Sequence, residues 1–73
     1  MKLIETGLPG CVMIEPAVYG DERGHFYEGW NAARFAEHGL PTQFVQHNVS
    51  RSQRGVLRGL HYQWPGNVQG KLV

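Results

Sequence analysis

Four kinds of side chain in this sequence can do chemistry. His61 lies in Leu57-Arg58-Gly59-Leu60-His61-Tyr62-Gln63, and an imidazole, which titrates near neutrality, suits general base work. A histidine that only satisfies a hydrogen bond carries the same local signature. Arg23, Arg51, Arg54 and Arg58 can hold phosphate through bidentate contacts; the ordinary alternative for each is solvated charge. Arg23 stands out because Gly20 and Gly24 flank it, and glycine lets a backbone approach a ligand closely. Lys71 can stabilise a developing oxyanion, although a lone lysine is most often a surface residue. Phe26, Tyr62 and Trp64 can stack on a base or sugar, and strand aromatics equally belong in a core.

Other chemistries find less support. Two histidines two residues apart on one strand would face the same side and could share a metal, but Gln63 occupies the second position after His61. His25, His38 and His47 are isolated in sequence, and no Cys/His cluster has structural zinc spacing. Gly70-Lys71-Leu72 lacks the Ser or Thr that ends a phosphate-binding Walker loop. No metal or cofactor is therefore expected.

Short elements must position these groups. Glycine and proline break the apolar runs near the N-terminus into strand lengths, within residues 1–5 and 11–14, and residues 17–19 extend the second or form an edge. Gly20-Asp21-Glu22-Arg23-Gly24 reads as a turn. Residues 25–30 read as an aromatic strand, with Phe26, Glu28 and Trp30 on one face. Asn31 is a good N-cap for one short helix over residues 32–38, Gly39 suits the position after its C-cap, and Pro41 prevents continuation. Residues 42–49 read as a strand that puts Phe44, Gln46 and Asn48 on one side. After a polar turn over residues 50–55, residues 56–63 form another strand. Trp64-Pro65-Gly66-Asn67 turns the chain, and residues 68–73 start a further strand. The pattern is mainly β with one short helix.

Composition sets the frame for that pattern. The chain has 73 residues, one cysteine (Cys11), ten glycines, four prolines and a net charge of +1. One domain is the most it can form, its core would be marginal, and an internal disulfide is impossible. The length leaves an oligomer, a weakly stable domain or a piece of something larger, and a last residue inside an expected strand favours the piece. The near-zero charge gives no general attraction to nucleic acid or membrane. No apolar run reaches the ~20 residues of a spanning helix, and the first residues lack a signal-peptide pattern, so a cytoplasmic location is expected.

Four ordered blocks carry a resemblance. Gly20-Asp21-Glu22-Arg23-Gly24-His25-Phe26-Tyr27-Glu28, Phe44-Val45-Gln46-His47-Asn48, Val56-Leu57-Arg58-Gly59-Leu60-His61-Tyr62-Gln63 and Gln69-Gly70-Lys71-Leu72-Val73 resemble the dTDP-4-dehydrorhamnose 3,5-epimerases, over the N-terminal portion of a usual member. The resemblance implies a cupin-like jelly-roll β-barrel, of which residues 1–73 are one partial domain, working as a homodimer without metal. It implies epimerisation at C3 and C5 of dTDP-4-dehydro-6-deoxyglucose, on the route to dTDP-rhamnose. His61 matches the family's base, and Lys71 matches the lysine near the C4 oxygen. Arg23 and Arg58 match the arginines that hold the diphosphate, and Phe26 and Glu28 match contacts to the thymidine end. Gln46 and Asn48 match further substrate contacts. His47 stands between them where an aspartate is common, which leaves it a backbone contact.

The family's proton-donating tyrosine, the acidic partner of its catalytic histidine and a second site histidine correspond to positions beyond 73. The isolated chain is accordingly expected to be inactive. The alternatives are a nucleotide-sugar-binding module without turnover, or a structural fragment that pairs with another chain. Perfect strand alternation would put Arg58 and His61 on opposite faces, and a bulge at Gly59 is the expected remedy.

Overall fold

The computed structural model describes residues 1–66 and 68–73. Four short strands precede one helix: β1 (Lys2–Glu5), β2 (Val12–Glu15), β3 (Val18–Asp21), β4 (Gly24–Tyr27) and α1 (Ala32–Glu37). They make two separate two-stranded antiparallel sheets, β1-β2 and β3-β4. Mainly β with one short helix is thus the observed class.

Each hairpin is closed by chemistry within its own loop. In the first, Lys2 pairs with Glu15 and Glu5 with Val12. The Thr6 hydroxyl donates to the Cys11 carbonyl at 2.6 Å and accepts the Leu8 N–H at 3.2 Å, and Cys11 N–H returns to the Leu8 carbonyl at 3.1 Å. In the second, Val18 pairs with Tyr27 and Asp21 with Gly24, leaving Glu22 and Arg23 as a two-residue loop. Hairpin turns whose twist matches the strands need positive φ at the loop residues. Neither Glu22 nor Arg23 has it, and Gly24 takes a φ of 126° instead. Glycine is required there because it alone tolerates that conformation without a Cβ clash.

Helix α1 is set by both its caps. Asn31 is extended (φ −152°, ψ 121°) and its side chain accepts the Arg34 N–H at 3.0 Å. At the other end Gly39 N–H reaches the Ala36 carbonyl at 3.0 Å and Leu40 N–H reaches the Phe35 carbonyl at 2.9 Å, with Gly39 at φ 70°. That pair of bonds is the Schellman arrangement, which satisfies carbonyls the helix leaves free. His38 Nδ1 caps the Arg34 carbonyl at 2.8 Å.

Phe35 is the one buried apolar side chain among the described residues, at 2% exposure. Trp30 packs edge-on to Phe35 and to Phe44, each with ring centroids 6.2 Å apart. The core is this aromatic cluster beside α1, and it is small. The radius of gyration is 15.3 Å, against about 11 Å for a compact chain of this length.

Three expected strands are corrected. Residues 42–49, 56–63 and 68–73 contain no strand among the described residues. Apart from Phe44, which packs on Trp30, their apolar side chains stand largely in solvent: Val45 and Leu60 are fully exposed. A strand is held by the N–H and C=O row of a neighbour, and among the described residues these segments pair with neither edge of the two small sheets. The strand expected over residues 25–30 also ends early, at Tyr27, so Glu28 and Trp30 leave the sheet.

Turns fared better. Val56 N–H meets the Gln53 carbonyl at 3.3 Å with Gly55 at φ 84°, as the polar turn over residues 50–55 requires. The Trp64-Pro65-Gly66-Asn67 turn is bent at Pro65 and Gly66; its last residue lies outside the described residues. Among those residues no helix is long and apolar enough to cross a membrane.

Candidate functional site

The β3-β4 hairpin carries one part of the candidate site. Tyr19, Gly20, Asp21, Arg23, Gly24 and Phe26, with His25, line a concave surface of about 520 Å³. Arg23, at the loop tip, is bound to Asp21 through Nη2–Oδ2 at 2.6 Å and Nε–Oδ2 at 3.1 Å. The same carboxylate accepts the Arg23 backbone N–H at 2.9 Å. These donors hold Asp21 ionised below its ordinary pKa of 3.8, the Arg23 side chain first and its backbone N–H second. The carboxylate in turn pushes the Arg23 guanidinium pKa upward.

A second concavity of about 350 Å³ lies beside the first and shares Tyr19 and Phe26 with it. Glu28, Trp30, Asn31, Arg34 and Phe35 complete its main wall. Here helix α1 orients Glu28: Arg34 Nε lies 2.9 Å from Glu28 Oε1, and Asn31 Nδ2 donates to Glu28 Oε2 at 3.3 Å. Asn31 therefore works twice, its oxygen capping the helix and its nitrogen holding the carboxylate. Arg23 and Phe26 thus border one concave surface, and Phe26 and Glu28 border its neighbour.

The remaining residues expected at the site stay apart from these clefts. Gln46 Nε2 donates to Asn48 Oδ1 at 3.1 Å, as their side-by-side register suggested, and His47 between them is exposed. Arg58 Nε donates to the Ser52 hydroxyl at 2.6 Å and its Nη2 to the Arg51 carbonyl at 3.2 Å. His61 and Lys71 are exposed, and neither lines either concavity. The expected bulge has no ladder to interrupt; Gly59 has a φ of 145°, so simple alternation between Arg58 and His61 does not apply.

Sequence reasoning missed Asp21, Ser52 and Arg34 as partners of the site's charged groups. The first carried a signal: an aspartate two residues before an arginine in a turn readily bonds the backbone two residues on.

Comparison with known proteins follows the same stretch of chain. The sequence model of the family described as dTDP-4-dehydrorhamnose 3,5-epimerase matches residues 5–73. A relative from Methanothermobacter thermautotrophicus, named dTDP-4-dehydrorhamnose 3,5-epimerase, is 57% identical over 99% of this chain and 38% of its own length. Relatives of the same name from Pseudomonas aeruginosa and Salmonella typhimurium are 53% and 50% identical over all of this chain and 40% of their own. The chain thus spans about two fifths of the length of these curated relatives. No solved structure matches it.

Proposed function

Because the chain belongs to the dTDP-4-dehydrorhamnose 3,5-epimerase family, we propose that it supplies the substrate-gripping and base-bearing part of a site that epimerises C3 and C5 of dTDP-4-dehydro-6-deoxyglucose. The observation that carries this reading is the family match, which runs through all four motif blocks. The C4 ketone acidifies the protons on both neighbouring carbons. A base removes one, an enolate forms, and an acid returns a proton to the opposite face. Protons and electrons balance without a redox partner.

In this reading His61 is the base, and Lys71 faces the C4 oxygen as it gains charge. Arg23 and Arg58 hold the diphosphate, and Phe26 and Glu28 meet the thymidine end. Gln46 and Asn48 add substrate contacts, with the His47 backbone between them. The architecture that joins these residues is a cupin-like jelly roll, dimeric and cytoplasmic in the working enzyme. The open clefts around Arg23, Phe26 and Glu28 support the gripping role. The exposure of His61 and Lys71 supports a second reading for residues 1–73 taken alone, a nucleotide-sugar-binding module without turnover.

A chimera tests both. Residues 1–73 replace the matching segment of the Methanothermobacter relative, and exchange of the C3 and C5 protons with D2O is followed by NMR. The chimera turns over, and His61→Ala lowers its rate about 10²- to 10⁴-fold. The 73-residue chain alone gives no exchange but binds dTDP saturably, roughly tenfold or more weakly in Arg23→Ala. An inactive chimera beside an active parent, or an active His61→Ala chimera, sinks the enzymatic reading.

A further inference from the structure

Arg23 and Arg58 are held in the same way by different groups. In Arg23, Nε lies 3.2 and 3.1 Å from the two Asp21 oxygens and Nη2 lies 2.6 Å from Oδ2. In Arg58, Nε donates to the Ser52 hydroxyl at 2.6 Å and Nη2 to the Arg51 carbonyl at 3.2 Å. Both guanidinium groups are therefore gripped along the Nε/Nη2 edge. A guanidinium has five N–H donors in a rigid plane, and the Nη1 and outer Nη2 hydrogens form a second bidentate edge. In neither arginine does Nη1 make a hydrogen bond among the described residues, and both arginines are exposed.

We propose that Asp21, and the Ser52 hydroxyl with the Arg51 carbonyl, are positioning groups that hold Arg23 and Arg58 with their outer edges presented to the oxygens of a diphosphate. The proposal rests on the reading of these two arginines as diphosphate ligands. A free arginine side chain loses rotamer freedom when it binds, and fixing it beforehand removes part of that cost. The Arg23 backbone N–H bond to Asp21 ties the same carboxylate to the loop, so the turn and the guanidinium are oriented together. The two grips differ in charge. Asp21 offsets the positive charge it orients, whereas Ser52 and a carbonyl leave the Arg58 charge whole. Removing Asp21 would therefore tighten anion binding if its role were only electrostatic, and weaken it if its role is positioning.

Pyrophosphate titration of the chimera with the Methanothermobacter relative reads this out, with calorimetry for affinity and ¹⁵N NMR for the arginine Nε–H signals. Arg23→Ala and Arg58→Ala each weaken binding roughly tenfold or more. Asp21→Ala and Ser52→Ala each weaken it about two- to tenfold, the cost of immobilising one long side chain, while Asp21→Asn stays within about twofold of the parent. The Arg23 Nε–H signal moves in Asp21→Ala and returns in Asp21→Asn, with the amide shifts of β3 and β4 beyond residues 20–24 unchanged. Tighter binding in Asp21→Ala overturns the proposal, as does unchanged affinity in both Asp21→Ala and Ser52→Ala. If Arg23→Ala and Arg58→Ala weaken binding but the positioning variants do not, the proposal alone falls. If the two arginine variants have no effect, the diphosphate reading falls and takes the proposal with it.

Discussion

Residues 2–40 and residues 42–73 divide the molecule by the distance over which their partners lie. In the first region every strand finds its neighbour across a short loop: Lys2 reaches Glu15, and Asp21 reaches Gly24. Helix α1 is closed by Asn31 and Gly39, which adjoin it. In the second region the sequence alternates as a strand should, yet no strand forms among the described residues. Contacts between nearby residues cost little chain entropy to close, whereas sheet pairing across the fold needs an edge that must already exist. The site is divided along the same line. The residues proposed above as diphosphate and thymidine contacts, Arg23, Phe26 and Glu28, sit in the region that closes locally, and His61 and Lys71 sit in the region that does not.

The sharpest way to break this comparison is through Phe35. Its replacement by Ala removes the one buried apolar side chain and costs about 3 kcal/mol, enough to erase the helical circular-dichroism signal and shift Trp30 fluorescence. A chain that keeps both signals has a core other than the one beside α1. Next in size is Asn31→Ala. Loss of the N-cap costs about 1 kcal/mol, and it also frees Glu28 from the Asn31 amide. Thermal unfolding measures the first effect; Glu28 carboxyl shifts in NMR measure the second.

A smaller effect sharpens the other side. Leu60→Ser changes the stability of the 73-residue chain by less than about 0.5 kcal/mol, as for exposed positions generally. In the chimera with the Methanothermobacter relative the same change is expected to cost more than about 1 kcal/mol, the result of burying Leu60 if the proposed barrel forms there. Equal costs in the two backgrounds, read from denaturation midpoints, would erase the distinction between the regions. Smallest of all is the acid response of the hairpin tip. The folded pKa of Asp21 is lowered, so the bond to Arg23 contributes fully above the ordinary carboxylate range. It is lost only as pH falls through that lowered value. The midpoint of the Arg23 Nε–H shift in an NMR pH titration should therefore lie below 3.8.

Much of the first region was legible in the sequence. Asn31 before an alanine-rich stretch and Gly39 after it announced α1 and both its caps. The glycine-flanked segment from Gly20 to Gly24 announced the turn, although its loop is narrower, since Gly20, Asp21 and Gly24 all join strands. The motif blocks named Arg23, Phe26 and Glu28 as candidates, and the structure joins Gln46 and Asn48 by a hydrogen bond. The strands over residues 42–49, 56–63 and 68–73 were read from alternation alone. Alternation reports which face an apolar side chain would take, not whether a neighbouring edge is present to bond the backbone.

What the sequence determined by itself was therefore everything encoded within a few residues: caps, turns, side-chain types and the family they mark. Only the tertiary structure decided that Trp30 packs on both Phe35 and Phe44, that Tyr19 and Phe26 line both clefts, and that His61 stands apart from them. The physical reason is range. A cap or a turn is fixed by its own φ angles and nearest hydrogen bonds, while a site drawn from distant segments forms only where packed strands bring those segments to one place.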